Sequence, residues 1–499
     1  MSCFFSDGSR GRRLLAAVVA VCLLVASAPE SFGAFFSHFS PEEERKLGDK
    51  LLVEVRERYG LIDDPVVVSY INAVGAHLVE KLGYKTFPYH FYVVNSEILN
   101  AFAAPGGHIF VFSGLLTRLN SEGELASILS HEIGHVSCNH LAKRMSRGTK
   151  IGLATLAMVL AGAFLGGGGE ASQAASMSGL AAGASLSLKF DRKDEEEADR
   201  VGLKLLRGTG YDGNAAVNAL RTIYRFRWYG SDEVPTYLST HPDMGQRISY
   251  LEDMLLASPA AAPPLALNPL DFKKVQTRLL ASCGDPKLCL ARFEGVLLQK
   301  TPPDFLGTYG LGLAYRRQGR YAEAQAALEK ALALQPTDND VLRDLGVCYF
   351  EAGKNAEAAG ALRKVLAAHP DDTAAAYYMG RASQESGDLD AAIDCYRKLL
   401  GGGLETADIH DNLGLVYAKK GDMASAHYHT GMAFKLRGDM EMAAFHLRDA
   451  EKLCKGKPEE EKVRSALKEC QEEIDARHKE KAARPGGQPP RLLPSMSGN

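Results

Sequence analysis

The chain has 499 residues, with 58 Lys and Arg against 61 Asp and Glu, a formal net charge of -3 and 9 cysteines. That length has room for roughly two to four domains, and so even a charge balance excludes a basic stripe, so no nucleic acid is expected as a partner. The cysteines are too sparse for a disulfide-built fold and contain no CxxC; Cys283/Cys289 and Cys454/Cys470 are either short-loop disulfides in an oxidising compartment or small buried thiols.

Residues 1–33 read as an export signal: Arg10, Arg12 and Arg13 precede an apolar run from Leu14 to Ala28, with small residues suited to cleavage after it. The run is shorter than the roughly 20 apolar residues of a bilayer span, so secretion is expected, with an uncleaved anchor as the competing reading. Ser40-Pro41-Glu42-Glu43-Glu44 then opens a helix running toward Tyr59, because Ser caps, Pro suits the first turn and carboxylates favour the positive end of the helix dipole. A second amphipathic helix, Pro65 to Leu82, is expected to bury Val68, Ile71, Val74, Leu78 and Val79. Next come strand-like stretches at Tyr89 to Val94, Ile98 to Ala104 and His108 to Phe112, the last two joined by a Pro105-Gly106-Gly107 turn. This hairpin is either an ordinary core element or an edge on which an extended substrate pairs.

His131-Glu132-Ile133-Gly134-His135 is an HExxH sequence. On a helix, residues four apart share a face, so both imidazoles reach one metal while Glu132 points at a water on it. Two His and a carboxylate around Zn2+ leave a position for water and lower its pKa toward neutrality, the requirement for amide hydrolysis. The reading needs a third ligand downstream. Cys138 and His140 do not continue the longer zincin signature and are given packing or supporting roles. An apolar, glycine-broken stretch over 150–187 follows, read as a lid that touches membrane through 151–165, against a membrane hairpin or a buried helix pair. The third ligand comes after it: in the helical run Asp194-Glu195-Glu196-Glu197-Ala198-Asp199, Glu195 and Asp199 share a face, so Glu195 ligates while Asp199 takes a hydrogen bond from a liganding imidazole.

Four motifs in order, Asn100-Ala101-Phe102-Ala103 with Pro105-Gly106-Gly107, HExxH, Glu195 to Asp199, and Ser239-Thr240-His241-Pro242 with Arg247-Ile248, make residues from about Pro41 to Leu255 resemble the gluzincin family of Ste-type and Oma-type (CAAX prenyl protease-like) zinc endopeptidases. The resemblance implies that His131, His135 and Glu195 bind one Zn2+ and that Glu132 is the general base. It also implies that His241 sits near the metal, capping it in a latent state or stabilising the oxyanion, with Arg247 orienting that region. Asn100, Ala101, Phe102, Ala103, Pro105, Gly106 and Gly107 would hold substrate. The several long membrane helices of the prenyl-protein-processing members are missing here, so prenylated substrates are not implied.

After a Pro/Ala-rich linker at 258–264, Gly312, Gly346, Gly380 and Gly414 recur every 34 residues, as do Gly319, Gly353, Gly387 and Gly421. That period is similar to tetratricopeptide helical hairpins, in which small residues admit close helix approach. Gly431 restarts the pattern half a period after Gly414, so one helix is expected to serve two units. The expected fold is an α+β zincin-like metallopeptidase domain, mostly helical with a small β-sheet, over 34–257. Behind it follow a linker and degenerate half repeat (258–303), an all-α tetratricopeptide solenoid (304–455), a helix (456–483) and a disordered tail (484–499). The functional expectation is a zinc endopeptidase of the bacterial envelope whose repeats recruit unfolded or misassembled outer-membrane proteins or dock on their assembly machinery. The alternative is a repeat chaperone or adaptor with a mostly latent site.

Overall fold

A computed structural model of the protein describes residues 40–145, 190–229, 236–257, 269–299, 304–456 and 458–483. The expected export signal (1–33), the lid with its membrane-touching stretch (150–187) and the tail (484–499) lie outside the described residues. Among the described residues no helix is long and apolar enough to cross a membrane.

Helix α1 (Pro41–Tyr59) starts where expected: Ser40 Oγ accepts from Glu43 N–H at 3.2 Å and the Glu43 carboxylate accepts from Ser40 N–H at 2.9 Å, a reciprocal capping box. Helix α2 (Pro65–Glu80) is capped by Asp64 and buries Val67, Ile71, Val74, Leu78 and Val79. Val67 takes the core position expected of Val68, which is 36% exposed, while the other four expected residues are buried; the run Val66-Val67-Val68 fits more than one helical phase.

The strands β1 (His90–Val94), β2 (Ala101–Ala104) and β3 (His108–Phe112) form one sheet in the order β1-β3-β2. β1 runs parallel to β3, and β2 pairs antiparallel to it through the Pro105–Gly107 turn. Alternate side chains serve two cores, since Phe91, Val93, Ile109 and Val111 pack toward α2 while Val94, Phe102, Phe110 and Phe112 pack on Leu47, Leu51 and Val55 of α1. The sheet is therefore covered on both faces, and β3 is buried at every residue.

A short helix α3 (Ser113–Leu116) leads into α4 (Glu122–Ser137), which carries HExxH, and α5 (His140–Met145) follows. α6 (Arg192–Gly208) crosses α4 where two glycines meet. A Cβ on Gly134 would lie 2.6 Å from the Ala198 carbonyl oxygen, and one on Gly202 would lie 3.0 Å from His131 N. This reciprocal notch brings Glu195 and Asp199 within reach of the two imidazoles. At an exposed helical site Gly→Ala adds about 1 kcal/mol of stability. Gly134→Ala instead should cost roughly 1–3 kcal/mol, because the methyl group meets backbone that cannot yield; urea unfolding reads the sign.

α7 (Asn214–Tyr229), α8 (Thr236–Thr240) and α9 (Met244–Ala257) complete this unit. The stretch expected to be linker and half repeat contains α10 (Pro269–Ser282) and α11 (Pro286–Gln299), and α10 belongs to both halves of the molecule. Its Phe272, Val275 and Leu279 join the core of α2 and α4, while Ala281 joins that of the first repeat. Gln276 Nε2 donates to the carbonyls of Leu116 and Leu119, and the buried Arg278 pairs with Asp64 on one side and with Asp344 and the Tyr309 hydroxyl on the other.

Behind α10 and α11 the helices pair as Phe305–Arg317 with Tyr321–Leu334, Asn339–Glu351 with Asn355–Ala368, Thr373–Glu385 with Leu389–Gly401, and Ala407–Lys420 with Met423–Leu436. Met423–Leu436 packs equally on Met440–Cys454, the helix that serves two units, and Glu460–Ala483 closes the stack. Gly319, Gly353, Gly387 and Gly421 take φ between 71° and 81° in the turns, a left-handed conformation that favours glycine. The seven described cysteines, Cys283/Cys289 and Cys454/Cys470 included, are free thiols.

Candidate metal centre

Ser121 caps α4, its Oγ accepting from Glu124 N–H, and one turn of that helix separates His131 from His135. Their Nε2 atoms stand 3.0 Å apart. From α6, Glu195 brings Oε2 to 3.5 Å from His131 Nε2 and Oε1 to 3.5 Å from His135 Nε2. Donors about 2.1 Å from a tetrahedral metal lie about 3.4 Å from one another, so this triangle fits a single ion. His241, just past α8, adds a fourth donor: its Nδ1 lies 2.9 Å from Glu195 Oε1 and 3.3 Å from His131 Nε2. The ligand atoms of these four buried residues all lie within 4.8 Å of one another.

Asp199 orients the first imidazole. His131 Nδ1 lies 2.8 Å from Asp199 Oδ1, which places the ring proton there and leaves Nε2 bare toward the other donors. Arg247 also approaches His131 Nδ1, at 3.2 Å, but a guanidinium offers only donors, so the shorter contact to the carboxylate decides the tautomer. Arg247 grips Asp199 through Nε at 2.8 Å and Nη2 at 2.7 Å, the Tyr250 hydroxyl donates to the same carboxylate, and Arg247 Nη1 pairs with Glu195 Oε2 at 2.7 Å, out of line for a hydrogen bond. Burial opposes ionisation of both carboxylates. For Asp199 the charge of Arg247 and the hydrogen bond from His131 outweigh it, and for Glu195 the charges of His241 and Arg247 do, so both are held well below the usual carboxylate range. Burial pushes His135 down, which keeps it neutral as a ligand must be, and its Nδ1 meets His140 Nδ1 at 2.9 Å. His241 is pushed down by burial but ends above its ordinary value because of the Glu195 and Glu132 carboxylates.

Glu132 has no exposed surface, and neither of its oxygens receives a hydrogen bond among the described residues. Its closest charged neighbour is His241 Nε2, 3.6 Å from Oε1. A buried carboxylate that accepts no hydrogen bond among the described residues, beside a triangle of bare donors, is the arrangement expected of a base that works on a water at a metal.

The expected substrate residues divide. Ala103, Pro105 and Gly106 line a cavity of about 20 Å³ together with His135, Phe190 and Glu44. Phe102 instead stacks on Phe110 at 4.8 Å within the core against α1, because its side chain points to the opposite face from Ala101 and Ala103. Asn100 and Ala101 are fully buried. Gly106 and Gly107 are needed where the turn meets other backbone: a Cβ would lie 2.9 Å from Arg45 Cα and 2.2 Å from the Pro88 carbonyl oxygen respectively. Phe102 and Gly107 are thus placed in packing, while Gly106 both meets backbone and lines the cavity. The sequence reading passed over Phe190, whose ring covers His135 at 4.0 Å, Tyr237, stacked on His241 at 4.4 Å with its hydroxyl unpartnered among the described residues, and Tyr250. Tyr237 precedes His241 by one helical turn, and Tyr250 follows Arg247 by about one; that spacing was the available signal.

Two imidazoles and a carboxylate around one point, a general-base glutamate on the same helix and a small sheet alongside define a metallohydrolase. Residues 67–255 match the family described as Peptidase family M48, and residues 309–373 and 349–410 match tetratricopeptide repeat families. The chain thus carries an M48 metallopeptidase domain followed by tetratricopeptide repeats; that family implies a metal ion, and His131, His135 and Glu195 are a donor set that could hold one. It is 31% identical over 304 residues to the beta-barrel assembly-enhancing protease of Yersinia pestis, covering 60% of this chain and 61% of that protein. To the protein of the same name from Escherichia coli (strain K12) it is 28% identical over 303 residues, with 60% and 61% covered. To the mitochondrial metalloendopeptidase OMA1 of Arabidopsis thaliana it is 36% identical over 159 residues, 32% of this chain and 30% of that one. The match therefore spans about three-fifths of the length of the first two relatives.

Proposed function

We propose that the chain is a zinc-dependent endopeptidase of the bacterial cell envelope, held latent by His241, that cleaves unfolded or misassembled outer-membrane proteins brought to it by the repeats. The names of the two bacterial relatives support the substrate class, and the stacked repeats support recruitment, since such arrays offer an extended concave face to peptides. In this reading His131, His135 and Glu195 hold the ion, which when bound activates water and polarises the scissile carbonyl. Zinc suits a set of two nitrogens and one carboxylate oxygen. Glu132 takes the proton of the attacking water and returns it to the leaving amine. Asp199, Arg247 and Tyr250 keep His131 in the tautomer that presents Nε2. The strand backbone around Ala103 aligns the substrate.

Latency rests on one observation: His241 Nδ1 stands within the donor cluster, at 2.9 Å from Glu195 and 3.3 Å from His131. A catalytic site keeps an open position for water, whereas four protein donors make a closed one. Phe190 and Tyr237 pack over the same place, and the cavity beside His135 is too small for a peptide. His241→Ala should raise cleavage of an unfolded outer-membrane protein by about tenfold or more, equivalent to about 1.4 kcal/mol or more of removed self-ligation. Metal content should stay at its wild-type value. A loss of cleavage with metal retained would instead assign His241 to the oxyanion. Deleting residues 304–455 should lower cleavage of the protein client but not of a short peptide.

A further inference from the structure

At the end of the HExxH helix a second group of donors collects on the far side of His135. Cys138 is the C-cap residue of α4, His140 opens α5, and Asp194 and Glu197 lie on the first two turns of α6. Asn139 between the first two takes φ 53°, a left-handed reversal that turns the chain from α4 into α5. The ligand atoms of Cys138, His140 and Glu197 lie within 4.8 Å of one another. His140 Nε2 is 3.1 Å from Glu197 Oε2 and 3.9 Å from Asp194 Oδ1. The His140 ring is fully buried while Glu197 is 55% exposed, so a fixed imidazole presents its nitrogen to a group open to solvent.

We propose that Cys138, His140, Glu197 and Asp194 form a second metal site, distinct from the catalytic one and specific for a thiophilic divalent cation such as Zn2+. One sulfur, one imidazole nitrogen and carboxylate oxygens are a zinc-type set, and the sulfur selects against Mg2+ and Ca2+. Burial and the Glu197 carboxylate push the Cys138 thiol up, with Lys143 opposing; a bound cation reverses that electrostatic penalty and the thiol proton leaves to solvent. A supporting role for His140 toward His135 would use neither Cys138 nor Asp194.

The site bears on the catalytic centre because an ion there clips the end of α4 to the start of α6, the two helices that carry the catalytic donors.

Metal-free full-length protein titrated with Co2+ tests this. Beyond the first equivalent, a thiolate-to-cobalt charge-transfer band should grow in the near ultraviolet. Cys138→Ser should abolish the band and keep the first equivalent, and Glu197→Gln should weaken the second equivalent by about 10–100-fold. A wild-type titration with no such band overturns the proposal, as does a band that survives Cys138→Ser, because another cysteine is then the ligand. If Cys138→Ser loses both ions through misfolding, the surface variant Glu197→Gln decides, and an unchanged second affinity there rejects the site.

Discussion

Glu132→Gln should lower peptide-bond hydrolysis by about 10²–10⁴-fold, the usual contribution of a positioned general base, while metal content stays at the wild-type level. Its effect on folding should run the other way. Glu132 is fully buried, and no hydrogen bond reaches its oxygens among the described residues, so the carboxylate is a cost to the folded state. A neutral amide of the same shape removes a buried charge, and the melting temperature of the metal-free variant should be equal to or higher than that of the wild type. Activity assay, metal analysis and calorimetry together separate this from a structural role. A variant that lost activity together with its metal would make Glu132 part of the scaffold, and one that kept full activity would remove hydrolysis as the chain's main work.

Arg247→Met should cost about 3–5 kcal/mol of stability, seen as a fall in melting temperature on the order of 10 °C. Arg247 is 2% exposed and is the counter-charge for both Asp199 and Glu195, so its removal leaves two buried carboxylates one turn apart on α6 without the cation they share. Methionine keeps the apolar stem and isolates the charge effect. The double variant Arg247→Met with Asp199→Asn should lose less than the sum of the two single changes, because each partner matters chiefly through the other. Bound metal should restore part of the loss by neutralising Glu195. An additive double variant would mean that Arg247 acts through packing alone.

The two predictions mark the two kinds of residue in the site. Glu132, in the proposed function, is kept for what it does to substrate, and Arg247 is needed because the carboxylates it pairs with are buried. HExxH exposes the first kind directly, since base and ligands are neighbours on one helix and the motif is a statement about 3.6-residue geometry. The second kind is hidden. Arg247 and Asp199 are 48 residues apart, and Arg247 stands in the sequence as one more basic residue on an amphipathic helix. The resemblance to gluzincins pointed to it without saying that its charge is spent on Asp199 and Glu195. Val68 and Phe102 stand away from the expected faces for a related reason: a run of three valines fits several helical phases, and strand alternation says that two faces exist without saying which one meets the site.

By itself the sequence determined whatever depends on short spacing: the two imidazoles on one face, Glu195 and Asp199 one turn apart, the Ser40 cap, and the 34-residue period whose glycines set the turns of the repeats. Tertiary structure alone decided what depends on elements meeting. Gly134 and Gly202 let α4 and α6 approach to backbone contact, which converts two separate motifs into one donor triangle. His241 arrives from 110 residues beyond His131 to stand within that donor cluster. The stretch expected to be linker and half repeat holds α10, whose Arg278 ties the α2 cap to the first repeats. Local periodicity records which face of an element is apolar, but not which other face will cover it. The partners of a buried charge are chosen only once those faces have met.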